Sequence, residues 1–322
     1  MNKEELLQEL SAKMQTGEIS REEVATRFGL APVAQETTEH EKTAFPVTKM
    51  LYALGAAIVV IGIVIFVSQI WDDIGSFGRI TITLGLGLLI TAVGSMLLKS
   101  NPDENLGTVF HFIGGMLIPG GSLIALSELD VEMVTLWPVT LTFGAIFAFY
   151  LILNAVHKNA ILTFFAIANG TAFTYLLVEA IVDGPFYRHE DLYAYLTMVV
   201  GASYLLLAHA FRDGWNKKLI GVLGFFGSAG FLGAAFSRVF DSGFWQVLYV
   251  LIVIGGVALS VYMRSRSVLV MSTLALIAHV TYITSEYFAD SLGWPISLVI
   301  LGFVFIGLGY VSVNINKKYI AN

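Results

Sequence analysis

Residues Met50–Trp71 read MLYALGAAIVVIGIVIFVSQIW, a run of 22 residues without a charged side chain. At a rise of about 1.5 Å per residue, roughly 20 helical residues cross the hydrocarbon core of a bilayer, which is about 30 Å thick. Helices of soluble proteins carry a polar face, and this run has almost none. The run therefore predicts a transmembrane helix.

Nine further stretches of similar length and composition follow along the chain. They are Ile80–Leu98, Asn105–Ser127, Met133–His157, Asn159–Val178, Leu192–Phe211, Leu219–Ser237, Ser242–Met263, Ser267–Ser285 and Ser291–Asn316. The chain has no Cys, which excludes disulfides and thiolate metal sites. The sequence thus predicts an all-α, polytopic integral membrane protein with ten transmembrane helices in residues 47–322.

The charged residues between these stretches alternate in sign along the chain. One set of gaps holds nine bases and three acids, a net charge of +6, and the other holds three bases and twelve acids, a net charge of −9. Short loops rich in Lys and Arg stay on the cytoplasmic side of a membrane. We therefore expect both termini inside the cell and the acidic loops outside. The overall charge of −6 argues against nucleic acid as a partner.

The N-terminal arm is polar and has a different pattern. Leucines recur at helical spacing among charges up to Leu10, and Gly17 is placed to end this helix. Ser20 and Glu23 form a capping box that opens a second helix, which ends at Gly29. Residues 1–30 thus predict a cytoplasmic helical hairpin, and residues 31–46 a polar linker. The hairpin either docks a protein partner or packs on itself or on the membrane face.

Two segments carry a family pattern. The first, in the arm, consists of Leu10, Gly17, Ile19, Ser20 and Glu22. The second, in the first span and its exit, consists of Gly55, Gly62, Phe66, Trp71, Asp72, Gly78 and Arg79. Over roughly residues 5–155 the chain resembles a bacterial family of predicted membrane proteins, the domain of unknown function 2157. In the family an Asn commonly precedes the Trp, whereas Gln69-Ile70-Trp71 stands here. The resemblance implies a multi-pass protein of a bacterial cytoplasmic membrane and implies no activity.

Each odd-numbered stretch from the third onward is followed directly by an ionisable residue, two to four positions before the next acid of the loop. These residues are Glu128, Glu179, Arg238 and Glu286. The even-numbered stretches end at Lys or Arg instead. This alternation predicts five tandem helical hairpins, each starting at an odd-numbered helix, although any ten-span protein has the same parity. Because the loops are short, consecutive helices are expected to be antiparallel neighbours.

These four ionisable residues are the first candidate site. Charges at such a depth are costly unless they are paired or hydrated. We interpret them as the rim of an acidic outward vestibule for a cation or a small solute, in which Arg238 pairs with one or more of the carboxylates. The alternative is that the side chains extend to water at the interface and bind nothing.

Three residues nearer the middle of the odd-numbered stretches complete the candidate set, namely Pro119, Asn169 and His279. Interrupted helices leave backbone groups that bind solutes in transporters. The alternative is ordinary helix packing around small or hydrogen-bonded residues. Glycines recur at every third position from Gly221 to Gly233, which predicts a slim helix with neighbours on several sides.

Several enzyme signatures are missing from the sequence: a phosphate-binding Gly-x-x-x-x-Gly-Lys loop, His-Glu-x-x-His and Gly-x-Ser-x-Gly. We therefore predict no enzymatic activity, no metal and no cofactor. The leading hypothesis is a transporter-like protein for a small solute or ion. The alternative is a non-transporting scaffold or sensor that binds a partner through residues 1–30.

Overall fold

The computed structural model describes residues 13, 47–69, 71–100, 105–131, 134–182, 188–288 and 294–320. Within these ranges the protein is helical and has no β-strand. The chain divides into two compact units, Met1–Leu51 and Tyr52–Asn322. Apart from Lys13, the predicted hairpin and linker of residues 1–46 lie outside the described residues.

A helix occupies each of the ten predicted stretches. They are α1 Val47–Gln69, α2 Ser76–Ser100, α3 Leu106–Glu128, α4 Trp137–His157, α5 Ala160–Val182, α6 Glu190–Ala210, α7 Ile220–Ser237, α8 Gly243–Tyr262, α9 Arg266–Phe288 and α10 Trp294–Ile315. Short 3₁₀ turns extend α7 at both ends, at Trp215–Leu219 and Arg238–Phe240. Eight helices, α2 to α9, are long and apolar enough to cross a membrane by the described residues alone. This confirms a multi-pass, all-helical membrane protein.

Two of the basic turns have the same local structure. Lys158 follows α4 with φ 47°, and Arg264 follows α8 with φ 49°, so each occupies the left-handed region that ends many helices. The next residue then opens the following helix by accepting a backbone N–H, at 2.8 Å for Asn159 and at 3.4 Å for Ser265. One left-handed residue and one capping side chain are therefore enough to reverse the chain between these helices.

The most extensive helix packing joins α2 with α3, α4 with α5, α6 with α7, and α8 with α9. Each of these pairs is connected through a turn that carries Lys or Arg at or beside it. The predicted hairpins pair each odd-numbered helix with the even-numbered helix that follows it. In the structure, each even-numbered helix from α2 to α8 packs most extensively against the odd-numbered helix that follows it. Further contacts join α7 with α9, α9 with α10, and α3 with α4 and α5.

Glycines explain why these pairs approach closely. A Cβ on Gly121 of α3 would lie 2.5 Å from the backbone nitrogen of Leu84 in α2. A Cβ on Gly201 of α6 would lie 2.6 Å from the backbone nitrogen of Phe231 in α7. Since side chains larger than hydrogen do not fit there, small residues set the distance between the helix axes.

The sequence predicts that α7 has neighbours on several sides, and its glycines confirm this for two of them. Gly227 and Gly230 lie against α6, and Gly224 lies against Ser265 and its neighbours at the start of α9. A Cβ on Gly221 or on Gly233 would meet no atom within 4 Å. The helix is therefore crowded on the sides that face α6 and α9.

Candidate functional site

The first of the predicted ionisable residues, Glu128, is paired with a base that the sequence did not predict as its partner. Its carboxylate accepts a hydrogen bond of 2.9 Å from Arg79 Nη1 of α2, and both side chains are largely buried. Arg79 Nε also donates to the Trp71 carbonyl at 3.0 Å, and the guanidinium lies 4.8 Å from the centroid of the Trp71 ring. The pair joins α2 and α3 at the ends remote from their connecting turn.

Arg238 forms ion pairs with Asp191 and Asp241, the latter at 2.8 Å, and its guanidinium lies 5.6 Å from the centroid of the Tyr195 ring. The sequence suggested instead that Arg238 pairs with the carboxylates at the ends of the other odd-numbered helices. The reason for the difference is packing: α7 lies against α6, whose first turn carries Asp191. Arg238 thus joins α6 and α7 at the ends remote from their connecting turn.

The other two predicted carboxylates are less constrained. Glu179 is half-buried, and α5 continues past it to Val182. Glu286 is exposed on α9, and its neighbour Tyr287 donates a hydrogen bond of 2.8 Å to Gln246 of α8. Within the described part of the chain, no ion pair joins any two of the four predicted rim residues.

The three deeper candidates lie inside the bundle. Asn169 is buried and donates a hydrogen bond of 2.8 Å to the Phe165 carbonyl of its own helix. Pro119 lies within α3, which continues through it as a helix. His279 is buried, and its ring centroid lies 5.1 Å from that of Tyr249. None of these hydrogen bonds or ring contacts joins two of the three residues, and none of the three lines the cavity described next.

A cavity of about 640 Å³ lies between α6, α7, α8 and α9. It is lined by α6 from Ala202 to His209, by α7 from Ser228 to Leu232, by α8 and its end from Ile252 to Met263, and by Val268 and Ser272 of α9. Most of this lining is apolar, and it contains no Asp, Glu, Lys or Arg. The cavity therefore suits the apolar part of a ligand.

Two serines in this lining differ in their hydrogen bonding. Ser228 donates a hydrogen bond of 2.6 Å to the Gly224 carbonyl of its own helix. Ser272 is fully buried, and its hydroxyl has no hydrogen-bond partner among the residues that the structure describes. A buried hydroxyl without a partner carries a desolvation penalty that a ligand atom can relieve. Ser272 is one of four polar side chains in the lining, the others being Ser228, His209 and Tyr262.

A second buried polar cluster lies at the basic ends of α4, α5 and α7. The Thr163 hydroxyl of α5 lies 3.0 Å from Asn154 Oδ1 of α4 and 2.8 Å from Asn216 Oδ1 at the start of α7. Nearby, Asn159 Nδ2 donates to the Thr108 hydroxyl of α3 at 2.9 Å. These contacts connect α3, α4 and α5 with the start of α7.

The sequence reasoning did not identify Ser272, Thr163 or Asn216, because Ser, Thr and Asn are common in helices of this kind and carry no motif. Arg79 did leave a signal, since it is one of three bases in the acidic set of loops. In the part of the chain that the structure describes, no three His, Asp or Glu side chains meet in a cluster that could hold a metal ion.

The comparisons with known proteins concern the N-terminal part of the chain. The model of a family described as a predicted membrane protein, DUF2157, matches residues 15–129. No curated protein and no solved structure matches the chain. The matched segment includes the second half of the arm, the helix α2 and the α3 carboxylate Glu128, and it is shorter than the segment inferred from the sequence. The resemblance is thereby confirmed: over residues 15–129 this chain matches the DUF2157 family of predicted membrane proteins.

Proposed function

We propose that this protein crosses the cytoplasmic membrane ten times, with both termini inside, and binds and carries a small amphipathic solute. The observation that supports this is the cavity between α6, α7, α8 and α9, whose volume of about 640 Å³ falls in the range of roughly 300–1,000 Å³ typical of small-molecule sites. An amphipathic solute is favoured over a bare ion, because an apolar lining cannot replace the hydration of a charge.

The predicted rim residues enter this proposal as the outward side of the path. Glu128, Glu179, Glu286 and Arg238 would give that side an acidic rim, through which a solute with a cationic or polar group passes. Arg79 neutralises Glu128, and Asp191 and Asp241 neutralise the positive charge of Arg238. Glu179, which forms no salt bridge among the described residues, is therefore the rim residue to test.

The test of the cavity is a pair of glycine substitutions. Gly255 lines the cavity, and a Cβ there meets no atom within 4 Å, so Gly255→Leu fills the cavity without a backbone clash. Gly233 of α7 is equally open and lies outside the lining, so Gly233→Leu is the matched control. We expect a panel of amphipathic solutes to raise the Tm of purified wild-type protein and of Gly233→Leu, but not of Gly255→Leu. Equal responses of all three proteins would refute the cavity as the site.

The two serines separate ligand binding from packing. Without solute, Ser272→Ala should have a Tm at or above that of the wild type, because it removes an unsatisfied buried hydroxyl. With a solute that has a hydrogen-bonding group, the Tm rise should be smaller in Ser272→Ala and unchanged in Ser228→Ala, whose hydroxyl is already bonded. Uptake of the same solute into proteoliposomes, and its loss in Glu179→Gln, then tests transport and the rim.

The alternative proposal is a membrane scaffold or sensor that binds a protein partner through residues 1–30. The family match begins at residue 15 and so includes the second half of that segment. A scaffold predicts no Tm response to any solute. It also predicts a cellular phenotype that survives Glu179→Gln and is lost when residues 1–45 are deleted.

A further inference from the structure

The cavity occupies only the half of the bundle that lies next to the basic turns. Along α8 its lining runs from Ile252 to Met263, which directly follows the last residue of the helix. Eleven residue steps at about 1.5 Å correspond to roughly 16 Å. This is about half of the 30 Å hydrocarbon core, the depth of the acyl chains of one leaflet.

Basic side chains continue directly from the lining at this end. Arg264 follows Met263 in the α8–α9 turn and is exposed, and Arg212 lies three residues after His209 in the α6–α7 turn. The α6–α7 turn, with Arg212, Asp213, Lys217 and Lys218, and the α8–α9 turn, with Arg264, are therefore both net positive next to this end of the lining. The His209 and Tyr262 rings stack on each other, with centroids 5.4 Å apart, and both are lining residues.

We infer that the ligand of this cavity is an anionic phospholipid from the leaflet on the side of the basic turns. One acyl chain occupies the apolar cavity along α8 between Met263 and Ile252, and the phosphate lies at Arg212 and Arg264. Basic residues at the mouth of a groove between transmembrane helices are a recognised arrangement for anionic headgroups. The inference rests on the proposed function in requiring that the cavity binds a ligand, and it adds the chemical class of that ligand.

The experiment compares two lipids with identical acyl chains, phosphatidylglycerol and phosphatidylcholine, added to the detergent-purified full chain. We expect phosphatidylglycerol to raise the Tm more than phosphatidylcholine does. This excess should be lost in the double variant Arg212→Gln/Arg264→Gln. It should persist in Lys317→Gln/Lys318→Gln, which removes the same charge beyond α10, away from the lining. Glycerol phosphate, which has no acyl chain, should give no shift.

Two results overturn the inference: an equal response to both lipids, or an excess that Arg212→Gln/Arg264→Gln leaves intact. A shift with glycerol phosphate alone equal to that with phosphatidylglycerol would also overturn it, since the site would then bind a free phosphate. Failure of the headgroup assignment is distinguishable from failure of the proposed function. If only the headgroup assignment fails, Gly255→Leu still abolishes the Tm response to other amphipathic solutes. If the proposed function fails, Gly255→Leu leaves that response unchanged.

Discussion

Arg79 Nη1 lies 2.9 Å from the Glu128 carboxylate and so joins the first turn of α2 to the last turn of α3. Arg238 and Asp191 make the same kind of connection between α7 and α6. In the first pair the acid lies on the later helix of the two, and in the second pair the base does. In both, opposite charges meet where the helices are farthest from their connecting turn. These charges therefore fix which helices stay together at that end.

The first prediction concerns the Arg79–Glu128 pair. Glu128→Arg places two bases together and should lower the Tm, as should Arg79→Glu, which places two acids together. The double variant Arg79→Glu/Glu128→Arg should recover most of the loss, because it restores an opposite pair in the same place. Thermal unfolding of the four proteins measures this coupling.

Glu286→Arg is the control for that series. Glu286 is exposed and has no ion pair among the described residues, so the same substitution there should leave the Tm close to that of the wild type. If the double variant is no more stable than the weaker single one, the two side chains are not coupled and the contact has no role in joining α2 to α3.

The second prediction uses two adjacent glycines of α3. A Cβ on Gly121 would lie 2.5 Å from the Leu84 nitrogen, within the π-helical turn Thr81–Gly85 of α2, whereas a Cβ on Gly120 meets nothing within 4 Å. Gly121→Ala should destabilise the protein by about 1–3 kcal/mol, the usual cost of overpacking. Gly120→Ala should be neutral or stabilising by up to about 1 kcal/mol, because Ala favours the helix. Equal unfolding free energies for the two variants would contradict the close approach of α2 and α3.

The positions of the helices could be predicted because a bilayer demands long uncharged runs, and each run is visible in one sequence. The same count predicts that Glu179 lies about one turn inside its span, and α5 continues past it to Val182. Which helices are neighbours could not be predicted in this way, because the charge alternation assigns a residue to a face of the membrane and not to a partner helix. For that reason the sequence pairs Arg238 with the carboxylates that follow the other odd-numbered helices. Its partners in the structure are Asp191 of α6 and Asp241.

The cavity and the polar cluster lay beyond the sequence for a different reason. Whether the hydroxyl of Ser272 or Thr163 faces a neighbour, a cavity or lipid depends on the rotation of its helix within the bundle. The helices carry apolar residues on every side, so no polar stripe in the sequence fixes that rotation. The contacts between glycines and neighbouring backbones fix it instead, and these are visible only once the helix pairs are known.

The third prediction tests the polar cluster around Thr163. Thr163→Val keeps the shape of the side chain but removes the hydroxyl between Asn154 and Asn216, both of which then lose a partner. We expect a loss of about 1–3 kcal/mol in unfolding free energy. Thr281→Val is the control, because the Thr281 hydroxyl is exposed and bonds only to its own helix at 2.8 Å. A loss no greater in Thr163→Val than in Thr281→Val would show that the cluster does not connect α4, α5 and α7.

The last prediction tests the orientation on which the acidic rim depends. Since the chain has no Cys, single cysteines can be introduced at two exposed residues, Ser242 before α8 and Ser100 at the end of α2. Ser242 follows Asp241 in the acidic set of loops, and Ser100 follows Lys99 in the basic set, so the positive-inside rule assigns them to opposite faces. In intact cells, a membrane-impermeant maleimide should label Ser242→Cys and not Ser100→Cys, whereas both should react after permeabilisation. The reverse labelling in intact cells would place the acidic loops inside, and the carboxylates at Glu128, Glu179 and Glu286 would then face the cytoplasm.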